Sequence, residues 1–352
     1  MNVLVLTPDR VGSTLLQRLI TVYANINENY NPHTINLHEL TNGVLPYENT
    51  HFKQTLLGKP AQSGSTTWGY FQSLGAITDL LRNRTHGVVG RVAHYHIKNR
   101  GDSQPDQLEF YEYLNQNFFI ISARRQNVFE HALSWSIYSE SKKLNVFDPA
   151  QKFAAFGKIH RDGMQVAEDV FESHLKRYDQ YLNWVDAHFN VNSYFDYERD
   201  LPNIEKYILG LNVFRSPQRP LNWQDRFGIE FADWNRMHYL MSLVPFDHEF
   251  TAEEQDFMIR NRSLYHQCQN FVQSLVDEGT MTTGIPIKLH TLKQKAEIVT
   301  NVDQCLLSYN RWVHNTQPTY ALPYQPDALT QAALLEHQTW SSAPLGNVQL
   351  LK

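Results

Sequence analysis

The sequence has little that could staple it together or anchor it elsewhere. Its two cysteines, Cys268 and Cys305, have no third partner and no metal-type spacing. A disulfide scaffold and a cysteine-rich metal site are therefore excluded, and two buried thiols in a reducing compartment are the expectation. No apolar run approaches the length of a membrane span. No basic segment precedes the apolar pattern that begins at Val3, so a secretory signal is not expected and a soluble, cytoplasmic protein is. Positive charge is not in excess, since the net charge is −5. This disfavours nucleic-acid binding but leaves room for a local basic pocket that takes a small anion. There is no internal repeat and no low-complexity tract.

What is present is ordinary globular material. Hydrophobic residues make up 42% of 352, enough for one large domain with an appendage or for two domains. Asn2–Thr7 (NVLVLT) is a nearly continuous apolar run and reads as a buried strand. Pro8–Gly12 (PDRVG) is turn chemistry, and Ser13–Asn25 has apolar residues at helical spacing. Further strands are expected at Gly87–Ile97, Asn117–Ala123 and Val191–Asp196. Helices are expected at Trp68–Arg82, Leu108–Leu114, Asn127–Lys142, Val166–Phe189 and Ile204–Leu211, with residues 27–67 mostly loop. Strands alternating with helices imply an α/β fold with a mostly parallel sheet in three α/β/α layers. Past residue 215 the character changes to a proline- and arginine-bearing loop, then helices over Thr251–Glu278, Ile287–Val313 and Ala328–His337. The expected organisation is an α/β domain over 1–215 and a mostly helical extension over 216–352 packed on it.

Two places carry chemistry. In the first, T-P-D-R-V-G-S-T-L-L, a strand feeds a glycine turn and then a helix. Backbone N–H groups converge there, and the helix dipole adds positive potential, which suits phosphate or sulfate. Ser13 and Thr14 can cap the helix or donate hydroxyls, and Arg10 adds a fixed positive charge. The loop has one glycine and no lysine before Ser13, so it is not a Walker phosphate loop. In the second, NFFIISA ends in Arg124-Arg125, and Ser134 stands on the helix that follows. Guanidinium with hydroxyl suits a dianionic phosphate.

The two motifs, each at a strand-to-helix junction and in this order, resemble the PAPS-dependent sulfotransferases (PAPS is 3′-phosphoadenosine-5′-phosphosulfate) over about the first 215 residues. The first resembles the family's 5′-phosphosulfate loop, with Arg10 where the family usually has Lys. The second resembles its 3′-phosphate motif, with Arg124 or Arg125 as the ligand and Ser134 beside it. The resemblance implies a P-loop NTPase-like fold of bacterial or carbohydrate type and transfer of a sulfuryl group from PAPS to a hydroxyl or amine, leaving PAP. It implies binding of the 5′-phosphate by the amides of Val11, Gly12, Ser13, Thr14 and Leu15, and catalysis by Arg10. A small-molecule or carbohydrate acceptor is implied, without nucleic acid, membrane or metal.

Leu37–Leu40 (LHEL) looks like the family's Gly-Glu-Leu segment, which makes Glu39 a candidate general base. Gly90–His96 (GRVAHYH) resembles the Gly-x-Lys strand that ends at the substrate cleft, with His94 and His96 alternating onto one face as alternative bases. Tyr197–Leu201 (YERDL) resembles a Tyr-Glu-Asp-Leu segment, and the family's Arg-Lys-Gly closing loop is absent. Gly64–Trp68 (GSTTW) resembles the phosphosulfate loop without its strand and is read as a helix cap. The rival readings are a small-molecule kinase with a degenerate loop and a sulfotransferase fold that binds without catalysis.

Overall fold

A computed structural model describes residues 1–27, 34–41, 73–84, 86–143, 163–211, 213, 220–244, 249–281, 284–286 and 295–316. Gly64–Trp68 and the helix expected at Ala328–His337 lie outside them. The chain divides into two compact units, one built from 1–124 and 184–289, the other from 125–183 and 290–352. The boundary expected near residue 215 coincides with neither division.

The first unit holds a five-stranded sheet in the order β2-β3-β1-β4-β5: β1 Asn2–Thr7, β2 Ile35–Glu39, β3 Val88–Ala93, β4 Phe119–Arg124 and β5 Ser193–Asp196. Every pairing is parallel, so the chain is α/β in three layers. Alternation sends Val3 and Val5 of β1 to one face. There they share a core with Val89, Ile121, Ala123 and Phe195 and with Leu16, Leu19, Ile20 and Tyr23 of helix α1, Ser13–Ile26. Leu4 and Leu6 point the other way with Val92 and Ile120, and all four are fully buried. Both faces of the central strand are therefore covered, which is why its sequence is continuously apolar rather than alternating.

Helices α2 (Leu74–Arg82), α3 (His94–Arg100) and α4 (Gln104–Asn117) lie between β2 and β4 in the chain. Helix α5 is Val128–Lys143 and α6 is Glu168–His188. After β5 come α7 (Tyr197–Asp200), one 3-10 turn, α8 (Ile204–Leu209), α9 (Trp223–Phe227), α10 (Phe231–Leu243) and α11 (Ala252–Asp277). Trp223, Phe227, Trp234, Met237, Val272 and Leu275 of the last three belong to the same core as Val3 and Val5. The segment past residue 215 thus supplies one wall of the α/β core. Helix α11 begins at Thr251, which forms a reciprocal capping box with Glu254.

The second unit packs α5 and α6, through Val128, Phe129, Leu133, Phe171, Leu175 and Tyr178, on α13 (Val302–Thr316), through Val302, Cys305, Tyr309 and Trp312. Helix α12 is Lys295–Ile298. Asn301 ties the two stretches of chain: its side-chain amide donates to the carbonyl of Val166 at 2.8 Å and accepts from its N–H at 2.9 Å. Both cysteines are free and buried.

Two expectations are corrected. Residues 35–39, read as loop, form strand β2. Its polar residues hide the pattern, and Asn36 is satisfied inside the protein: it donates from its side chain to Thr21 Oγ1 at 3.0 Å and from its backbone to the carbonyl of Thr280 at 2.8 Å. The strand expected over Gly87–Ile97 ends at Ala93, opposite Thr7 where β1 itself ends, and His94 opens α3. His94 and His96 are therefore two steps apart on a helix, pointing in different directions, and do not share a strand face.

Candidate functional site

The strand order reverses around β1. The connection leaving β1 runs to β2 at one edge, and the connection leaving β4 runs to β5 at the other. In open parallel sheets such a point leaves a crevice at the carboxyl ends of the strands. The loop Pro8–Gly12 stands there. Asp9, Arg10 and Gly12 have φ of 62°, 57° and 72°, so the backbone takes a left-handed path that costs about 1–2 kcal/mol at each non-glycine residue. Thr7 pins the path, its hydroxyl accepting from the Asp9 N–H at 2.8 Å and donating to Ser13 Oγ at 3.0 Å. Gly12 has a second constraint: a Cβ there would lie 3.4 Å from the ring of Tyr197. Helix α1 starts with the Leu16 N–H on the carbonyl of Gly12 at 3.0 Å. The N–H groups of Ser13, Thr14 and Leu15 precede that first helical bond.

The cation at this helix start is Arg91 of β3. Its Nη1 bonds Ser13 Oγ at 3.3 Å and Thr14 Oγ1. Its Nε and Nη2 grip Glu39 Oε2 at 2.7 and 2.6 Å, and Asp9 Oδ1 lies 3.9 Å from Nη1. A bulge produces this pairing. Asn36 is in register with Val89, but His38, at φ 54°, is in register with Gly90, which leaves Glu39 opposite Arg91. Without the extra residue Glu39 would fall opposite Val92, on the other face. The side chain of Asn36 accepts the His38 N–H at 2.8 Å, and Gln17 of α1 donates to the His38 carbonyl at 2.7 Å, so both flanks of the bulge are held.

Glu39 is 1% exposed. Its Oε1 accepts the Ala93 N–H at 3.0 Å and lies 3.3 Å from His96 Nδ1, an ion-pair distance without hydrogen-bond alignment. Burial alone would raise its pKa, but Arg91 and then His96 outweigh burial and hold the carboxyl below its ordinary value. Asp9 behaves in the opposite way. Burial raises its pKa beyond what Arg91 restores, Glu39 adds to the rise, and Tyr95 hydrogen-bonds to it. Arg91 remains a cation: burial works against its charge, and Glu39 and Asp9 prevail.

The other expected residues are distributed as follows. Arg10 is exposed, Val11 is buried in the core, Ser13 is buried, and Thr14 and Leu15 are half-buried. His94 lies against Trp184, ring centroids 5.1 Å apart. Burial, with Lys98 and His188 nearby, lowers its pKa to about 4. Arg124 is engaged in the first unit: Asp196 takes its Nε and Nη2 at 2.8 and 3.3 Å, and its guanidinium lies 4.4 Å from the Tyr194 ring centroid. Arg125 and Ser134 belong to the second unit and are buried. The Arg125 backbone exchanges two hydrogen bonds with the Tyr178 hydroxyl, at 2.8 and 2.7 Å.

Sequence reasoning did not single out Arg91 or Asp9. The signal for Arg91 was available: one arginine inside the apolar strand VVGRVA must find partners when the strand is buried. The chain matches no protein-family model, no curated protein and no solved structure. Among the described residues no helix is long and apolar enough to cross a membrane.

Proposed function

We propose that the chain is a sulfotransferase, moving a sulfuryl group from PAPS to a hydroxyl or amine acceptor and releasing PAP. The observation that carries the reading is the left-handed loop between β1 and α1 at the sheet's reversal point, with Arg91 presented to its Ser13 and Thr14 hydroxyls. Amides of the first turn and the two hydroxyls hold the 5′-phosphate. Arg91 Nη1 meets the charge that grows on the bridging oxygen as the S–O bond to phosphate breaks. Arg10, at the exposed flank, contributes to the field on the departing phosphate. The positive charge comes from a neighbouring strand rather than from a loop lysine, which favours this reading over a Walker-type kinase.

Glu39 is fully enclosed and held as an anion, which suits it to position rather than to accept a proton. It holds Arg91 and stands against Nδ1 of His96. His96 Nε2 has no hydrogen-bond partner among the described residues, and the side chain is 13% exposed. His96 is the proton acceptor of the mechanism: the acceptor oxygen attacks sulfur, its proton passes to Nε2, the new S–O bond forms, and the bond to the 5′-phosphate breaks with its electrons leaving on PAP. Proton release to water resets the imidazole. The resemblance assigns the 3′-phosphate to Arg124 or Arg125 with Ser134. Comparing PAP with 5′-AMP, on wild type and on Arg125→Ala, tests that assignment separately.

Arg91 is already met by Glu39 and Asp9, which favours a second reading: a protein of this fold that holds a ligand without turning it over. One assay decides. PAPS is incubated with the protein and a panel of sugars, phenols and amines, and PAP formation is followed. Transfer predicts acceptor-dependent PAP release that His96→Asn slows by about 10²–10⁴ with PAP affinity unchanged. PAP binding with no release under any acceptor would leave the binding reading.

A further inference from the structure

Helix α1 carries a charge that this chemistry does not use. Arg18 stands one turn beyond Thr14, so the two share a stripe of the helix. It is partly buried, and its Nη1 donates to the carbonyl of Gly284. It has no carboxylate partner among the described residues. The nearby charged groups are of the wrong sign or already satisfied: Arg91 repels it, and Glu39 and Asp9 are committed to Arg91. Burial and Arg91 pull its pKa down to about 10. His38, on the β2 bulge, feels both arginines, and burial together with them lowers its pKa to about 4. The imidazole is therefore neutral at physiological pH, and its buried Nδ1 has no hydrogen-bond partner. The side-chain oxygen of Gln17, next to Arg18 in the chain, is buried without a partner as well.

Arg18 is a partly buried guanidinium repelled by a second one, and His38, whose carbonyl is held by Gln17 of the same helix as Arg18 at 2.7 Å, buries a ring nitrogen with no partner; both disfavour the folded state. A ligand that brings negative charge and acceptor oxygens corrects both faults. His38 directly precedes Glu39, which stands against His96, and Arg18 follows Thr14 by one turn. We propose that Arg18 and His38 form a seat for an anionic substituent of the acceptor, a carboxylate or a sulfate ester, beside the sulfuryl-transfer site. The acceptor class that follows is an acidic or already sulfated molecule rather than a neutral one. This rests on the transfer reading for the word acceptor; the anion seat itself does not.

Inorganic sulfate is the probe. Sulfate is titrated into the full chain with and without saturating PAP, at constant ionic strength set with chloride. Sulfate binding that persists with PAP present, and that weakens about tenfold or more in Arg18→Gln, supports the seat. If PAP does not bind at all, the transfer reading fails. The seat then stands only if sulfate binding is lost in Arg18→Gln and kept in Thr14→Ala. Phenylglyoxal modification of wild-type Arg18, mapped by mass spectrometry, covers the case in which Arg18→Gln does not fold: sulfate slows it severalfold if the seat exists. No slowing, or sulfate binding unchanged in a folded Arg18→Gln, overturns the proposal.

Discussion

Replacing Glu39 with glutamine tests the physics of the site in one atom. The carboxylate is fully enclosed and takes two bonds from Arg91, at 2.6 and 2.7 Å, and one from the Ala93 N–H at 3.0 Å. An amide of the same shape can still accept from Ala93, but its NH2 then faces the guanidinium donors. Arg91 is left buried with only Asp9, 3.9 Å away, as a counter-charge. Breaking one side of a buried ion pair costs about 3–5 kcal/mol, a large share of the roughly 5–15 kcal/mol that holds a domain folded. At about 2–4 °C per kcal/mol for a unit of this size, melting falls by about 6 °C or more. Urea unfolding at pH 7 measures it, as a lower midpoint at unchanged slope. The folded-state pKa of Glu39 is below its ordinary 4.5. Its contribution is therefore complete above pH 4.5 and is lost as pH falls through the folded value, so wild type and variant converge in acid. A loss under about 1 kcal/mol at pH 7 would mean that the pair is solvated, as exposed pairs are, and the reasoning about Arg91 would fail. Replacing both partners with apolar residues, Arg91→Met with Glu39→Leu, recovers much of the loss.

Asp9→Asn raises the melting temperature at neutral pH. The folded pKa of Asp9 is raised, so its ionised form opposes folding, and asparagine tolerates the left-handed backbone. The gain shrinks as pH falls through the carboxyl's folded value, and a variant less stable than wild type at pH 7 would contradict the account. Gly12→Ala destabilises by about 1–2 kcal/mol because it forces φ 72° on an L residue, as urea unfolding will show; a neutral effect would mean that the loop takes another path. His38, His94 and His174 each have a folded pKa of about 4 against an ordinary 6.5. Between those values the unfolded chain binds more protons, so stability falls on acidification, and unfolding at pH 5 takes up about three protons from this source. Calorimetry in two buffers of different ionisation enthalpy counts them, and an uptake near zero would refute the burial of these rings.

The parts of the fold that sequence revealed are those where one physical cause dominates. NVLVLT could only be a strand buried on both faces, and PDRVGST could only turn and start a helix. The helix expected from Thr251 begins there, and the structure closes that end with a Thr251–Glu254 capping box. The failures are equally specific. Strand β2 escaped notice because Asn36, His38 and Glu39 are polar, and the partners that satisfy Asn36 and Glu39 lie on other elements, Thr21 of α1 and Arg91 of β3. The dyad face drawn for His94 and His96 failed because β3 ends with its neighbour β1, a length set by pairing and invisible in GRVAHYHI. Glu39 was identified on its likeness to a motif, yet its partner Arg91 depends on a one-residue bulge that no spacing rule announces. That α9–α11 share the core of the sheet goes further than a helical extension packed on the domain, and a change of composition near residue 215 cannot express it.

The most direct test of the central claim is a calorimetric titration of the full chain with PAP and with ATP, each with and without Mg2+, repeated on Thr14→Ala and Arg91→Gln. The account predicts that PAP binds without metal, more tightly than ATP, and that both variants weaken it, Arg91→Gln by about tenfold or more at pH 7. Tighter ATP binding that requires Mg2+, or no binding of either nucleotide by the wild-type chain, would contradict it.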